Sequence, residues 1–382
     1  MEALERRYQR MYGKEPYNVS LWNPSAKTLS RLAGNLHLPS SSRKVKTTYT
    51  FPGTIDTALI KKATTKLGFR KEIGSLVTPT GSLSILNVLY WIKASGFRRV
   101  FILCPYYFSV INNCRILGIE ARKVPLESNP GRTGFVFPEK QCAKIGRRDV
   151  LWITNPVYCS GLYLDTTWMK GLKSLMNNGV TVVTDECLSI NGYEISHLTG
   201  NHPRFVGIYA PHKSVCLNSE KFSIAIFDKK YQEAFYQLAD TTFSCIGQSN
   251  ILALKHFVSP NYDAYSRQFN DICRDTMKNL REIFKYTKEV TFDNKNKGYL
   301  ANCYLPQVSA NLGKNMTFMW KLMKNTGGTL IPGIHNGYSE KMGFCFRINL
   351  SRDEAHFYTS LKKIVSYLIR SADRQANSNI VR

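Results

Sequence analysis

The 382-residue chain reads as an α/β protein built on a mostly parallel sheet flanked by helices, with a smaller α+β unit behind it. Three observations carry that reading. Short apolar runs recur through the first two thirds, helical patterns separate several of them, and past about Pro260 the alternation gives way to one long helical stretch and a mixed remainder. The runs are Arg99–Cys104, Asp149–Thr154, Val180–Asp185, Phe205–Tyr209 and Phe222–Phe227, rich in Val, Ile and aromatic residues, as strands buried on both faces are. Between them, Ile85, Val88, Leu89 and Ile92 fall at i, i+3, i+4 and i+7, and Trp168 to Met176 repeats the pattern before Gly179. In the second unit Tyr262–Lys288 predicts a helix, and Val290–Phe292, Tyr299–Leu305 and Phe344–Leu350 predict strands. The opening residues are turn-rich (Trp22–Ser25, Leu38–Ser42) and are expected to pack as an arm beside that unit. The division is an arm over 1–49, a large unit over 50–280 and a small unit over 281–382, with a frayed polar end from Gln375.

Apolar residues at 43% and charged residues at 21% exclude a disordered chain, and the length excludes a disulfide scaffold. No segment has the uncharged apolar length of a membrane span, and the N-terminus lacks an apolar signal core, so the cytoplasm is the expected location. The 10 cysteines stand singly without a Cys-x-x-Cys pair, which reads as reduced thiols and no metal site. Charge is the abnormal quantity: 52 Lys and Arg against 27 Asp and Glu leave +25. That raises nucleic acid as a partner, but the clusters (Arg43–Lys46, Lys61-Lys62, Arg147-Arg148, Lys229-Lys230, Lys362-Lys363) are spread along the whole sequence, which favours a solvated basic surface.

Ligands of open α/β sheets sit at the carboxyl ends of the strands, so the residues there are the candidates. Thr78-Pro-Thr-Gly-Ser-Leu83 leads into a helix and offers backbone N–H groups to a phosphate. Cys104 runs into Pro105-Tyr-Tyr, which brings an aromatic ring. The run ending at Thr184 delivers Asp185, a carboxylate that burial would penalise without a cationic partner. The run ending at Tyr209 delivers Lys213, whose amine becomes a nucleophile where its charge is disfavoured. Each has an ordinary explanation alone: a helix cap, a core ring, a paired carboxylate, a surface lysine. Four in this order at strand ends are a different matter.

In this order the residues resemble the aspartate aminotransferase superfamily, the class I/II aminotransferases among the fold-type I enzymes dependent on pyridoxal 5′-phosphate. The resemblance runs from about Leu21 to Leu368 and implies a seven-stranded sheet in the large unit. It implies that Gly81, Ser82 and Leu83 hold the cofactor phosphate, that Tyr107 stacks on the pyridine ring, that Asp185 pairs with the ring nitrogen, and that Lys213 is the Schiff-base lysine. Lys221 stands where the family has a phosphate-binding Arg, keeping the charge and losing the fork. Arg347 matches the clamp for the substrate α-carboxylate, Tyr49 in Tyr49-x-x-x-Gly53 matches the residue reaching a partner subunit's phosphate, and Trp22 and Asn23 fall where the family lines its substrate pocket. A homodimer with shared sites is implied.

The departures concern the cofactor's phenolic oxygen. Asn155-Pro-Val-Tyr-Cys-Ser-Gly161 places Tyr158 where an Asn normally donates to that oxygen, and Asp185-Glu-Cys-Leu188 lacks the usual Tyr. Tyr158 is expected to take over that hydrogen bond. His212, directly before Lys213, is a further cofactor-side candidate, with a histidine satisfied by its surroundings as the alternative; His335 is a candidate for reaching substrate, with a solvent-facing role as the alternative. The implied activity is transfer of an α-amino group from an amino acid to a 2-oxo acid. The alternatives are another reaction of the same fold (α-carbon lyase, cyclase, oxidase or decarboxylase) or, from a different class, a non-catalytic nucleic-acid-binding protein.

Overall fold

The computed structural model describes residues 1–32, 49–69, 72–128, 134–164, 166–190 and 202–380, with side chains described as far as residue 372. The turn at Leu38–Ser42 and the basic cluster Arg43–Lys46 lie outside the described residues. Seven strands form the main sheet: β1 (Gly74–Thr78), β2 (Arg99–Cys104), β3 (Glu120–Pro125), β4 (Asp149–Thr154), β5 (Thr181–Asp185), β6 (Phe205–Tyr209) and β7 (Ser223–Phe227). Their order is β1-β7-β6-β5-β4-β2-β3, and β7 alone runs antiparallel to its neighbours. Helices Gly81–Ala94, Phe108–Ile116 and Thr167–Asn177 supply crossovers, which parallel neighbours require.

The five runs read from the sequence are five of these strands, and β4, β5, β6 and β7 are buried along their whole length. The two strands without a composition signal explain themselves. β3 is the edge strand, Glu-Ala-Arg-Lys-Val-Pro, with only Val124 fully buried; its charges face solvent and discourage pairing with another chain. β1 begins Gly74-Ser75, and a Cβ at Gly74 would come within 2.6 Å of the Phe227 ring.

Beyond the long helix Pro260–Ile283, three antiparallel strands β8 (Thr291–Phe292), β9 (Leu300–Leu305) and β10 (Phe344–Asn349) form a second sheet in the order β10-β9-β8. Helices Met316–Thr326 and Ala355–Ile380 pack with it; the last continues past Gln375, where the sequence pattern predicts fraying. The N-terminal segment joins this part of the chain: Tyr17 and Asn18 pair in parallel with Gly328 and Thr329, and Ser20 Oγ donates to the carbonyl of Arg347 at 2.5 Å. No helix among the described residues is long and apolar enough to cross a membrane.

Candidate active site

The polar termini of β1, β2, β5 and β6 meet at one end of the main sheet because parallel strands all point their carboxyl ends the same way. There a cleft of about 290 Å³ is lined by Trp22, Asn23, Thr80, Gly81, Ser82, Tyr107, Ala210, Lys213, Asn218 and Lys221. A larger hollow of about 500 Å³, bordered by Gly53, Phe69 and Tyr236, holds none of the residues that the sequence points to for catalysis.

The phosphate cradle starts at Gly81, the first residue of helix Gly81–Ala94, with Thr80 as its cap. A Cβ at Gly81 would sit 2.9 Å from Cys187 Sγ, so a larger residue would displace the helix start from the strand ends. Beneath it runs a buried chain of hydroxyls: Thr78 Oγ1 to Ser84 Oγ at 2.8 Å, Ser84 Oγ to Ser223 Oγ at 2.9 Å, and Ser223 Oγ to the Tyr209 carbonyl at 2.7 Å. This chain ties the helix start to β1, β7 and β6, and it has no signal in the sequence because isolated hydroxyls in apolar runs show no period. Leu83 corrects an expectation: its N–H is turned to the Thr80 carbonyl at 3.0 Å and it does not line the cleft, leaving Gly81 and Ser82 there.

Lys213, in the short helix Pro211–Ser214 after β6, places Nζ 4.6 Å from the centre of the Tyr107 ring and 5.2 Å from that of Trp22. Asp185 ends β5, 3% exposed, and accepts from the Cys187 N–H at 3.2 Å. Burial pushes its carboxyl above the usual range, against the pull of the Cys187 bonds and the Lys213 charge. Such a carboxylate is poised for a cation brought into the cleft. Lys221 is shifted down, by burial first and then by Lys213. Asn218, which sequence reasoning missed, lines the cleft and holds the N-terminal segment through Nδ2 to the Trp22 carbonyl at 3.3 Å and Asn23 Oδ1 at 3.2 Å.

Arg347 on β10 is 2% exposed and fixed from three sides. Nε donates to the Ser20 carbonyl at 3.0 Å, Nη1 donates to the Tyr158 hydroxyl at 3.2 Å, and the Trp22 ring stacks with its centre 3.9 Å from Cζ. Tyr158 accepts the Nη1 bond, which leaves its hydroxyl proton for the donation expected of it, and its ring lies 5.7 Å from that of Tyr107. Its hydroxyl is engaged by the guanidinium, it does not line the cleft, and burial raises its pKa well above the ordinary value, so it stays a neutral phenol. Leu188, where the family has Tyr, is in the core.

Several other candidates stand away from the cleft. Asn155 is buried at the end of β4, with Nδ2 toward Glu186 Oε1 at 3.5 Å and Oδ1 accepting from the Leu164 N–H at 3.0 Å. His212 turns away from Lys213: its Nε2 lies 2.9 Å from His256 Nδ1, among Phe222 and Tyr262, so its role is in packing. Tyr49 is 77% exposed and stands beside Phe51, outside the cleft of its own chain. His335 Nε2 lies 3.0 Å from the Gly313 carbonyl.

Residues 35–199 match the family model for aminotransferase class I and II. No curated protein matches the chain by sequence. Among solved structures, an aspartate aminotransferase from Thermotoga maritima is similar at TM-score 0.75 with 17% identity, over 96% of both chains. A putative kynurenine aminotransferase from Saccharomyces cerevisiae gives 0.74 and 14%, over 95% of this chain and 93% of its own. A C-S lyase from Staphylococcus hominis in its pyridoxal phosphate-bound form gives 0.70 and 15%, over 93% and 92%. At these identities the likeness is one of fold.

Proposed function

We infer that this chain, which matches the aminotransferase class I and II model over residues 35–199 and is similar in fold to solved aminotransferases, is a pyridoxal phosphate-dependent aminotransferase that moves an α-amino group from an amino acid to a 2-oxo acid. The observation carrying the reading is the convergence in one cleft of Lys213, Tyr107 and the Gly81–Ser82 helix start, with Asp185 buried at the end of the next strand over. These residues fit the cofactor. The helix start and Lys221 suit a phosphate, Tyr107 offers a ring face, Asp185 offers a buried carboxylate without an ion pair among the described residues, and Lys213 offers an amine for covalent attachment. Pyridoxal phosphate, when bound, accepts the electrons left as a bond to the substrate α-carbon breaks.

The chain's own groups orient the substrate and handle its protons. Asp185, buried at its strand end, would pair with the cofactor's ring nitrogen and keep it protonated. Lys213, the amine that would hold the cofactor, would also be the base placed to move the α-proton. Arg347 takes the substrate carboxylate with the N–H groups that Ser20 and Tyr158 leave free, which fixes the α-carbon relative to Lys213. The exposed Tyr49 is read as reaching a partner subunit's site in a homodimer, and the cytoplasm as the place of work.

The test is visible absorbance of the cofactor-loaded protein as amino acids are added without an oxo acid. Stable bleaching that a 2-oxo acid reverses is the expected result. Turnover with the original spectrum restored and no oxo acid consumed would instead assign a lyase, cyclase, oxidase or decarboxylase reaction.

A further inference from the structure

Lys213, Lys221 and Arg347 serve the cleft, and they leave most of the excess of 25 positive charges without a role. Helices Met316–Thr326 and Ala355–Ile380 pack together, with Phe318 and Tyr367 rings 6.0 Å apart, and between them lies an open groove of about 1060 Å³. Lys321 stands on one wall, and Lys362, Lys363 and Arg370 on the other; among the described residues no carboxylate lines it. Positions 362, 366 and 370 stand at i, i+4 and i+8, so one helix face carries the row. The remaining lining is Asn325, Thr326, Ser366 and Ser371 with the single aromatic Tyr367 and the single aliphatic Ile369. None of the four cations makes an ion pair among the described residues.

Like charges gathered on facing walls repel one another, and an anionic ligand would relieve that repulsion. The composition of the groove separates the possible occupants. Protein interfaces centre on aromatic and Met anchors and are poor in Lys, whereas nucleic-acid interfaces are polar and strongly positive. A concave channel with cations on both walls also suits a strand better than the flat face of a bilayer. We propose that this groove binds the phosphate backbone of a single-stranded nucleic acid, independently of the chemistry in the cleft. Lys362, Lys363 and Arg370 lie within one helix and Lys321 joins them from another, so the spread of the other basic clusters along the sequence does not count against such a partner.

The experiment is fluorescence anisotropy of a labelled single-stranded RNA with the full-length, cofactor-loaded protein over a salt series. Four phosphate contacts predict that binding weakens about 50-fold between roughly 50 and 200 mM salt. Lys362→Gln/Lys363→Gln/Arg370→Gln is expected to weaken binding at least about tenfold at low salt and to flatten the salt slope. Lys144→Gln/Arg147→Gln/Arg148→Gln, with the same change in net charge elsewhere, is expected to bind nearly as the parent does. Equal losses in both variants would overturn the proposal by assigning the effect to net charge. So would absence of salt-dependent binding, displacement of the RNA by free pyridoxal phosphate, or stronger retention on phosphatidylserine vesicles or polyglutamate than on RNA.

Discussion

The cleft and the groove both gather positive charge and handle it in opposite ways. Arg347 is buried, and Ser20, Tyr158 and Trp22 fix it on three sides; Lys362 and Lys363 are exposed and free of ion pairs among the described residues. Burying a charge is costly unless partners hold it, so a buried cation comes with a fixed geometry, while exposed cations cost little and act through their sum. One arrangement suits a small ligand whose bonds must be oriented, the other a ligand recognised by charge density. If that contrast is right, single substitutions in the cleft have large and distinct effects, and substitutions in the groove have small and additive ones.

The largest effect belongs to Lys213→Ala. Loss of both the covalent anchor and the base is expected to remove the visible absorbance of the loaded protein and to lower turnover at least about 10³-fold. Stopped assays and spectra on one preparation check both, and a variant that keeps the parent rate would break the assignment of this cleft.

Next is acid sensitivity from the imidazole pair behind Lys213. His212 is pulled down to about 3, by burial first and then by His256, so above that pH it is neutral when folded. A histidine depressed in the fold is protonated earlier in the unfolded chain, so stability is fully present above about pH 6.5 and falls as pH drops from there towards 3. The loss is about 2 kcal/mol by pH 5. Lys66, paired with Asp263 at 2.7 Å, sits beside His256 and opposes its protonation too. His212→Gln, whose amide retains a hydrogen-bond partner for His256, should flatten urea-denaturation stability between pH 6.5 and 5; an unchanged slope would place the titrating group elsewhere.

These two regions also mark what the sequence discloses. Strands with both faces buried spell themselves out in Val and Ile, so β2, β4, β5, β6 and β7 were legible, and with them the strand-end residues Asp185 and Lys213. The edge strand β3 was not, because half-exposed charged residues carry no apolar run. Contacts between distant positions were not either. Tyr158 and Arg347 are 189 positions apart, and the resemblance gives no hint of their bond because a family template records positions and not a new side chain's reach. The groove was hidden for the same reason, its two walls lying on separate helices.

Tyr158→Phe tests that bond to Arg347 with a smaller effect. The ring keeps its volume and only the hydroxyl bound to Nη1 of Arg347 is lost, a bond to a charged group worth about 1.5 kcal/mol. The expected result is a KM for the amino acid raised about tenfold with kcat nearly unchanged, and the pH titration of the loaded protein's visible absorbance unmoved. A shifted titration at unchanged KM would assign Tyr158 to the cofactor.

The smallest effect sharpens the comparison from the other side. Replacing Lys362 and Lys363 by Gln removes exposed charges that make no ion pair among the described residues, so it should change stability by no more than about 0.5 kcal/mol. The sign should be favourable, because like charges crowded along one side of a helix repel, and Lys362 shares its face with Arg370. At low salt the melting temperature should therefore stay level or rise slightly, the gain should fade as salt screens the row, and kcat/KM should stay at the parent value. A fall in stability, or a loss of activity, would mean that these lysines are held by contacts like those around Arg347, and the distinction between a positioned cation and a summed one would fail at this groove.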